Sequence, residues 1–174
     1  MKAKSVLAVL LTAVLVIGGC AGGSKVQKTE PGYQPTHIVI GKITPNTMGD
    51  SRMDAGDVKR MFHNNLEGGL RQEKVKFVTE KEAEEGMVEQ SKIVRLDALV
   101  FFEKGARAQS LRSESSTEVR VTWQLHRYTD DLLFAKGSAR STDVTASRGA
   151  TTDLRTAIQN GARATVMKAG EALK

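Results

Sequence analysis

The feature that most constrains this chain is an apolar run that begins a few residues after its N-terminus. Lys2 and Lys4 precede residues 6–19, which carry no charge. A membrane-spanning helix needs about 20 apolar residues, so this run is short for a span. A basic start, a short apolar run and a small-residue end are typical of a secretory signal peptide. That ordered combination disfavours the alternative of a buried N-terminal strand or helix with an ordinary core cysteine, and we expect residues 1–19 to be removed.

The apolar run ends at Cys20, the only cysteine in the chain. The sequence Ile17-Gly18-Gly19-Cys20 resembles the lipobox of bacterial lipoproteins. This resemblance implies cleavage between Gly19 and Cys20, and a diacylglycerol thioether on Cys20, which becomes the new N-terminus. Two or more acyl chains, such as palmitate, anchor a protein stably where one does not. Because Ala21 rather than aspartate follows the cysteine, the resemblance implies an outer-membrane protein that faces the periplasm.

Composition limits the remaining 155 residues to one domain, which is long enough to bury a core without disulfides. Removal of Lys2 and Lys4 lowers the count of Lys and Arg from 26 to 24, against 20 Asp and Glu, so the net charge falls from +6 to +4. A basic domain can bind nucleic acid, but an exported lipoprotein does not meet it, and we predict no nucleic-acid partner. Anionic envelope polymers and lipid head groups stay open as partners, beside the simpler interpretation of a mixed-charge surface.

The first half of the mature chain predicts alternating strands and helices. Residues 20–35 contain glycines and prolines and predict a lipidated, flexible tether, followed by one globular domain over residues 36–174. We predict strands at residues 37–44 and 74–79, a helix that begins at its N-cap Asp54, and a polar helix from Thr79 to about Gln90. The first helix has one apolar face, formed by Val58, Met61, Phe62, Leu66 and Leu70. A capping box of Thr79 and Glu82 opens the polar helix, which should bury Ala83 and Met87.

The second half predicts three strands and a closing helix. The apolar run from residue 96 is typical of a strand covered on both faces. Apolar and polar residues alternate over residues 117–129. After a turn at Asp130-Asp131 the chain returns as a partner strand, which predicts an antiparallel hairpin. A last helix begins at Asp153 with a stripe of small and apolar residues, which favours close approach to a sheet: Leu154, Ile158, Gly161, Ala162, Thr165, Ala169 and Leu173. The order β-α-β-α-β-β-β-α predicts an α/β (α+β) fold, a mixed sheet with packed helices.

No pattern of catalytic or metal-binding residues stands out. His37, His63 and His126 lack chelate spacing, so we predict no metal site, no cofactor and no catalytic residues. The acidic cluster at residues 80–85 and the pair Asp130-Asp131 are explained by a solvated helix face and by a turn. Asp130 and Asp131 are also candidate interface residues. Trp123 is a third one, since tryptophan is favoured in interfaces, although its alternation with apolar neighbours favours the core.

The order of elements, the strand LDALVFFEKGA and the hairpin EVRVTWQLHRYTDDLLFAKGSAR resemble a group of small envelope lipoproteins over residues 36–173. The group includes the curli-secretion lipoprotein, the Pel polysaccharide-secretion lipoprotein and the outer-membrane activators of penicillin-binding proteins. Its third strand commonly carries the pattern matched here by Asp97-Ala98-Leu99-Val100. The chain departs from the group's hairpin pattern, having no glycine after Asp131. The linker of residues 106–117 is too short and polar to supply the barrel insertion of curli-type members, which favours a compact periplasmic adaptor.

These observations together predict a non-enzymatic outer-membrane lipoprotein, an accessory or adaptor component of a cell-envelope assembly or secretion machine. Its partners would be the membrane, through the lipid on Cys20, and envelope proteins, with a self-oligomeric ring implied by the Pel-type resemblance. One alternative is a structural lipoprotein that binds peptidoglycan or lipopolysaccharide. Another is an envelope hydrolase or metal-dependent enzyme, for which His126, Asp130, Asp131 and the acidic helix at residues 80–85 are the motivating features.

Overall fold

The computed structural model describes residues 26–29, 32–46, 54–105, 116–143 and 150–174. The expected signal peptide, its cleavage site at Gly19 and the expected lipidation site Cys20 lie outside these residues. Among the described residues, no helix is long and apolar enough to cross a membrane.

Five strands form one mixed sheet in the order β1-β5-β4-β3-β2. Strands β2 and β3 are parallel, and every other neighbouring pair is antiparallel. The predicted fold class, a mixed sheet with packed helices, is confirmed. The strands are β1 Gln27–Lys28, β2 His37–Asn46, β3 Ile93–Gly105, β4 Ser116–Arg127 and β5 Leu133–Asp143; the helices are α1 Ala55–Gln72, α2 Glu80–Glu84 and α3 Ala150–Ala172, with a 3₁₀ turn at Gln90–Lys92.

Helices α1 and α3 pack side by side on one face of the sheet. The predicted apolar face of α1 is confirmed: four of its residues at a spacing of four are fully buried, Val58, Phe62, Leu66 and Leu70. Asp54 caps this helix, as predicted, by accepting a hydrogen bond from the backbone N–H of Gly56 at 2.7 Å. In α3, a Cβ on Gly161 would lie 3.3 Å from Val119 Cγ1, so the small-residue stripe does allow the expected close approach to the sheet.

Trp123 lies at the centre of this core with none of its surface exposed. The interpretation of Trp123 as a core residue, rather than an interface residue, is therefore correct. Its side chain has no exposed surface that could contact a partner. Its indole ring occupies the space above Gly137, the residue opposite it in β5. Glycine is needed at that position because a side chain would enter the volume of the ring.

The prediction of a strand at residues 74–79 is wrong. Only Phe77 forms a single parallel bridge, with Ile38. The predicted polar helix is also shorter than expected: its capping box is present, but α2 ends at Glu84. Gly86 follows with φ 72°, a left-handed conformation that ends helices. Met87 consequently lies beyond the helix and is 68% exposed rather than buried.

Part of the expected flexible tether is bound to the sheet. Gln27 and Lys28 form β1 and pair with Lys136 and Ala135 of β5, and the N–H of Thr29 donates to the carbonyl of Phe134 at 2.9 Å. A strand of two residues is too short to show an apolar periodicity, and for that reason β1 could not be predicted.

The next residues, 32–36, cross the end of the sheet from the β5 edge to the β2 edge, and we call them the crossing segment. Its Tyr33 hydroxyl donates to the carbonyl of Ile93 at 3.0 Å. The Tyr33 ring makes an edge contact with Phe134 at a centroid distance of 5.3 Å and lies 5.1 Å below the Arg127 guanidinium. These contacts hold the crossing segment against three strands.

We expect Gly137→Ala to lower the free energy of unfolding by about 1–3 kcal/mol, because overpacking a filled core forces neighbours to shift. The new Cβ would lie 2.5 Å from Trp123 Cζ2 and 2.8 Å from Cε2. Urea unfolding followed by the fluorescence of this single tryptophan measures the effect directly.

Gly68→Ala is the matched control. Gly68 lies in α1, and a methyl group added there would have nothing within 4 Å of it. Alanine in a helix interior is favoured over glycine by about 0.5–1 kcal/mol, so we expect this variant to be more stable than the wild type. A Gly137→Ala variant as stable as Gly68→Ala would contradict the packing described for Trp123.

Candidate functional site

The second face of the sheet is the candidate site. Among the described residues, the helix that covers this face is α2, at one corner, where Val78 and Ala83 pack on Val39 and Ile93. The side chains that alternate with the buried ones project from the rest, which we call the open face: Lys42, Thr44, Arg95, Asp97, Leu99, Phe101, Arg120, Thr122, Gln124, His126, Lys136, Ser138 and Arg140. The expectation that β3 is covered on both faces is therefore wrong: Leu99 and Phe101 are only half-buried.

A β-bulge in β2 shapes the edge of this face. Ile40 pairs with Leu96 and Ile43 with Ala98, so Gly41 and Lys42 together oppose Asp97. The backbone N–H of Lys42 donates to Asp97 Oδ1 at 2.7 Å. A Cβ on Gly41 would overlap this carboxylate and the Arg95 side chain, so glycine permits the close approach of the Asp97 side chain to the bulge.

Arg95 connects the bulge to the β4–β5 turn. Its Nη2 lies 3.1 Å from Asp97 Oδ2 and 2.6 Å from Asp131 Oδ1. Hydrogen bonding to Asp97, followed by the charges of both carboxylates, raises the pKa of the Arg95 guanidinium above its ordinary value. One cation therefore holds together two carboxylates that are 34 positions apart in the sequence.

His126 completes the network at the turn. Its Nδ1 lies 3.0 Å from the carbonyl oxygen of Asp131 and its Nε2 lies 3.2 Å from Gln124 Oε1. Asp131 adopts a positive φ of 61°, which an aspartate tolerates in a turn. The imidazole and the guanidinium therefore fix the backbone and the side chain of Asp131.

The turn prediction at Asp130-Asp131 is confirmed, and both side chains have partners. Asp130 Oδ2 lies 2.8 Å from Arg127 Nη2, and its Oδ1 accepts the N–H of Leu132 at 3.3 Å. The Asp131 carboxylate remains 65% exposed, and the neighbouring Leu132 is 52% exposed. Their assignment as interface residues stays a prediction.

A groove of about 290 Å³ runs along the open face, lined by Lys42, Thr44, Asp97, Ala98, Leu99, Thr122 and Gln124. The volume lies at the lower limit of small-molecule pockets. Its walls offer an ammonium, two hydroxyls and an amide beside the apolar surface of Leu99, which suits an extended polar chain or the surface of a partner. Within the described ranges, no three His, Cys, Asp or Glu side chains are placed to hold a metal ion.

The sequence predicted only part of this site. It named the two turn aspartates and His126, and the structure brings His126, Asp131 and Arg95 together. Asp97 was noted only as part of the strand pattern of the fold group. Arg95, Gln124 and the bulge at Gly41-Lys42 were missed. The one sequence signal for them is Gly41, an isolated glycine inside a strand pattern, which indicates a bulge or a close backbone approach.

Comparison with known proteins identifies the fold. No protein-family model matches the chain, and no curated protein matches it by sequence. Among solved structures, protein XCC0632 of Xanthomonas campestris, of the DUF330 family, is 12% identical with a TM-score of 0.54, over 84% of this chain and 89% of that one. The PelC dodecamer of Paraburkholderia phytofirmans is 11% identical with a TM-score of 0.50, over 84% and 97%. A minor lipoprotein of Acinetobacter baumannii is 9% identical with a TM-score of 0.52, over 78% and 93%.

The chain has the fold of this lipoprotein group. The predicted resemblance to the Pel-type lipoproteins is thereby confirmed at the level of fold.

We expect Asp97→Ala to lower the free energy of unfolding by about 1–2 kcal/mol. The substitution leaves the Lys42 N–H and one side of the Arg95 guanidinium without their acceptor, and hydrogen bonds to charged groups are among the stronger ones. Because the Asp97 side chain is only 22% exposed, water replaces the lost contacts incompletely. Urea unfolding monitored by Trp123 fluorescence gives the value.

Glu67→Ala is the control for a simple surface pair. Glu67 lies 2.7 Å from Arg71 on the surface of α1, one turn away. Pairs of this kind contribute about 0.3–0.5 kcal/mol, so the stability should change by less than half as much as in Asp97→Ala. Equal losses in the two variants would show that the Asp97 contacts do not stabilise the bulge.

Proposed function

We propose that the protein is a lipid-anchored, non-enzymatic lipoprotein of the outer membrane, facing the periplasm, and that it acts as an adaptor in a cell-envelope assembly or secretion machine. The observation that carries this proposal is the open face. It combines half-buried Leu99 and Phe101 with polar side chains that are held in place by the Arg95 network. Side chains that are already fixed lose little conformational entropy when a partner binds, and this favours the open face as a docking surface.

The contacts of the candidate catalytic residues support binding rather than hydrolysis. Asp130 is paired with Arg127, Asp131 with Arg95, and His126 with the backbone of Asp131. Each group has a role in holding the hairpin turn. A general base in a hydrolase instead needs to be directed toward a substrate or a water molecule.

The adaptor can act as a single molecule or as a ring of copies, and the fold supports the second arrangement. PelC of Paraburkholderia phytofirmans forms a dodecamer. In the present chain, β1 pairs with only Lys136 and Ala135 of β5. Within the described residues, the rest of the β5 edge has no strand beside it, and such an edge can pair with another chain.

A structural lipoprotein that binds an envelope glycan is the second candidate. Among the described residues, the open face carries five cationic side chains: Lys42, Arg95, Arg120, Lys136 and Arg140. Arg95 is paired with Asp97 and Asp131, and Glu118 is 3.9 Å from Arg140. Together with the hydroxyls of Thr44, Thr122 and Ser138, these cations provide groups that bind an anionic saccharide.

A photo-crosslinking residue at Thr122 tests the adaptor function in intact cells. Thr122 is exposed and central in the open face, so we expect one covalent adduct of defined mass with an envelope protein or with a second copy of this chain. The control carries the same group at Lys59, exposed on α1 on the opposite side of the domain, and should give no such adduct. An adduct that muramidase digestion shortens would favour the glycan-binding function, and identical patterns at Thr122 and Lys59 would exclude the open face as the docking surface.

Incorporation of a labelled fatty acid tests the anchor separately. We expect Cys20→Ser to abolish labelling and to leave the precursor uncleaved, because the thioether requires the cysteine sulfur. Ala21→Ser, a change of similar size at the next position, should retain the label. Labelling that persists in Cys20→Ser would rule out lipidation at this residue.

A further inference from the structure

A second, larger groove lies away from the open face. Its volume is about 710 Å³, and it is lined by Gln34, Pro35, Thr36, His37, Lys76, Lys92, Leu173 and Lys174. It lies at the end of the sheet where the crossing segment enters β2, and it shares no lining residue with the open-face groove. We call it the basic groove.

Backbone hydrogen bonds fix the positions of two of its lysines. The N–H of Thr36 donates to the carbonyl of Lys92 at 2.9 Å, and the N–H of Ile38 donates to the carbonyl of Lys76 at 2.9 Å. His37 lies between these two bonds. Lys76 and Lys92 therefore flank the same short stretch of chain, and their Cα positions do not depend on a mobile loop.

The basic groove is electrostatically positive. Among the described residues that line it, three are lysines and none is acidic. Glu89 pairs with Lys92 at 3.2 Å from outside the lining, and both side chains of that pair are more than half exposed, so the pairing is weak. Partial burial, and next the charge of Lys76, hold the pKa of His37 below its ordinary value. The imidazole therefore lies close enough to Lys76 to be affected by its charge.

The residue types suit a phosphate group. The lining from the described part of the chain contains lysines and no arginine, so it binds an anion through point charges rather than through a planar, bidentate fork. A phosphate group carries a charge of about −1.5 to −2 and three acceptor oxygens, so more than one lysine can pair with it. The volume of the groove lies within the roughly 300–1,000 Å³ typical of small-molecule sites, which is larger than a bare phosphate ion requires.

We propose that the basic groove binds a phosphate group carried by a larger molecule, with Lys76 and Lys92 pairing with its oxygens. Lys174 and the His37 ring border the same space. The phosphate can belong to a membrane lipid head group or to a soluble phosphate ester, since both present the same oxygens. Binding at this groove does not depend on the adaptor function or on the open face.

A titration of the full-length, lipidated protein in uncharged detergent tests the site, with glycerol 3-phosphate and pyrophosphate as probes. A ligand that binds only the folded state raises the Tm by mass action, and the fluorescence of Trp123 reports unfolding. We expect a rise in Tm for the wild type and an affinity about tenfold lower in the double variant Lys76→Gln, Lys92→Gln, because charge-assisted hydrogen bonds are lost. Lys59→Gln, which removes the same charge from the exposed surface of α1, should leave the affinity unchanged.

Two results would overturn the proposal: no rise in Tm with either probe, or an equal affinity in the double variant and the wild type. Both lysine side chains are exposed, so the double variant should fold, and the single variants give intermediate affinities if it does not. The His37 ring signal in NMR provides a second readout. A phosphate bound among Lys76, Lys92 and Lys174 should raise the pKa of the His37 imidazole in the wild type but not in the double variant.

A soluble short-chain phosphatidic acid, which carries the same phosphate monoester as glycerol 3-phosphate, distinguishes the two sources of phosphate. If it binds at least about tenfold more tightly than glycerol 3-phosphate, the groove also contacts the acyl-glycerol part, and the phosphate is that of a lipid. Equal affinities identify a soluble phosphate ester as the ligand. In either case Lys76→Gln must weaken binding, and retained binding in that variant places the probe elsewhere.

Discussion

The packing of both long helices on one face of the sheet is the constraint on which the rest of the structure depends. Helix α3 approaches closely because Gly161 contacts Val119 and Val121, and α1 approaches α3 where a Cβ on Gly69 would lie 3.1 Å from Val166 Cγ2. The two helices thereby cover one face of the central strands with a single apolar layer. Among the described residues, the other face has α2 at one corner and is otherwise formed by polar side chains and by half-buried Leu99 and Phe101. The distribution of apolar residues in the core thus determines which face stays accessible.

Local patterns in the sequence were sufficient for most of the fold. The four-residue spacing of Val58 to Leu70, the alternation around Trp123 and the Thr79–Glu82 capping box each predicted the correct element, because each depends on residues within a turn or a strand. Residues 74–79 also alternate, but a strand exists only where another strand offers a free edge along its length. Phe77 meets β2 at one bridge alone, and that limit depends on tertiary structure that no local pattern contains.

The network of the open face was beyond sequence reasoning for a related reason. Asp97 contacts Lys42, which is 55 positions earlier, and shares Arg95 with Asp131, which is 34 positions later. The bulge at Gly41 and the positive φ of Asp131 bring these groups together. A single glycine in a strand indicates that something approaches closely, but not which side chain does so. The resemblance to envelope lipoproteins pointed to Asp97, and only the structure shows that its role is to hold the bulge.

The attachment of the N-terminal segment to the sheet determines where a lipid anchor on Cys20 would hold the domain. Thr29 donates to carbonyl groups at the start of β5, from both its N–H and its hydroxyl, so the sheet holds the chain from Gln27 onward. With Cys20 lipidated, as we propose, six residues would separate it from Gln27, and the two Cα atoms would lie at most about 25 Å apart. This length is less than the thickness of a bilayer's hydrocarbon core, which is about 30 Å. The point at which the chain joins the sheet, Gln27, would therefore stay within about 25 Å of the membrane surface.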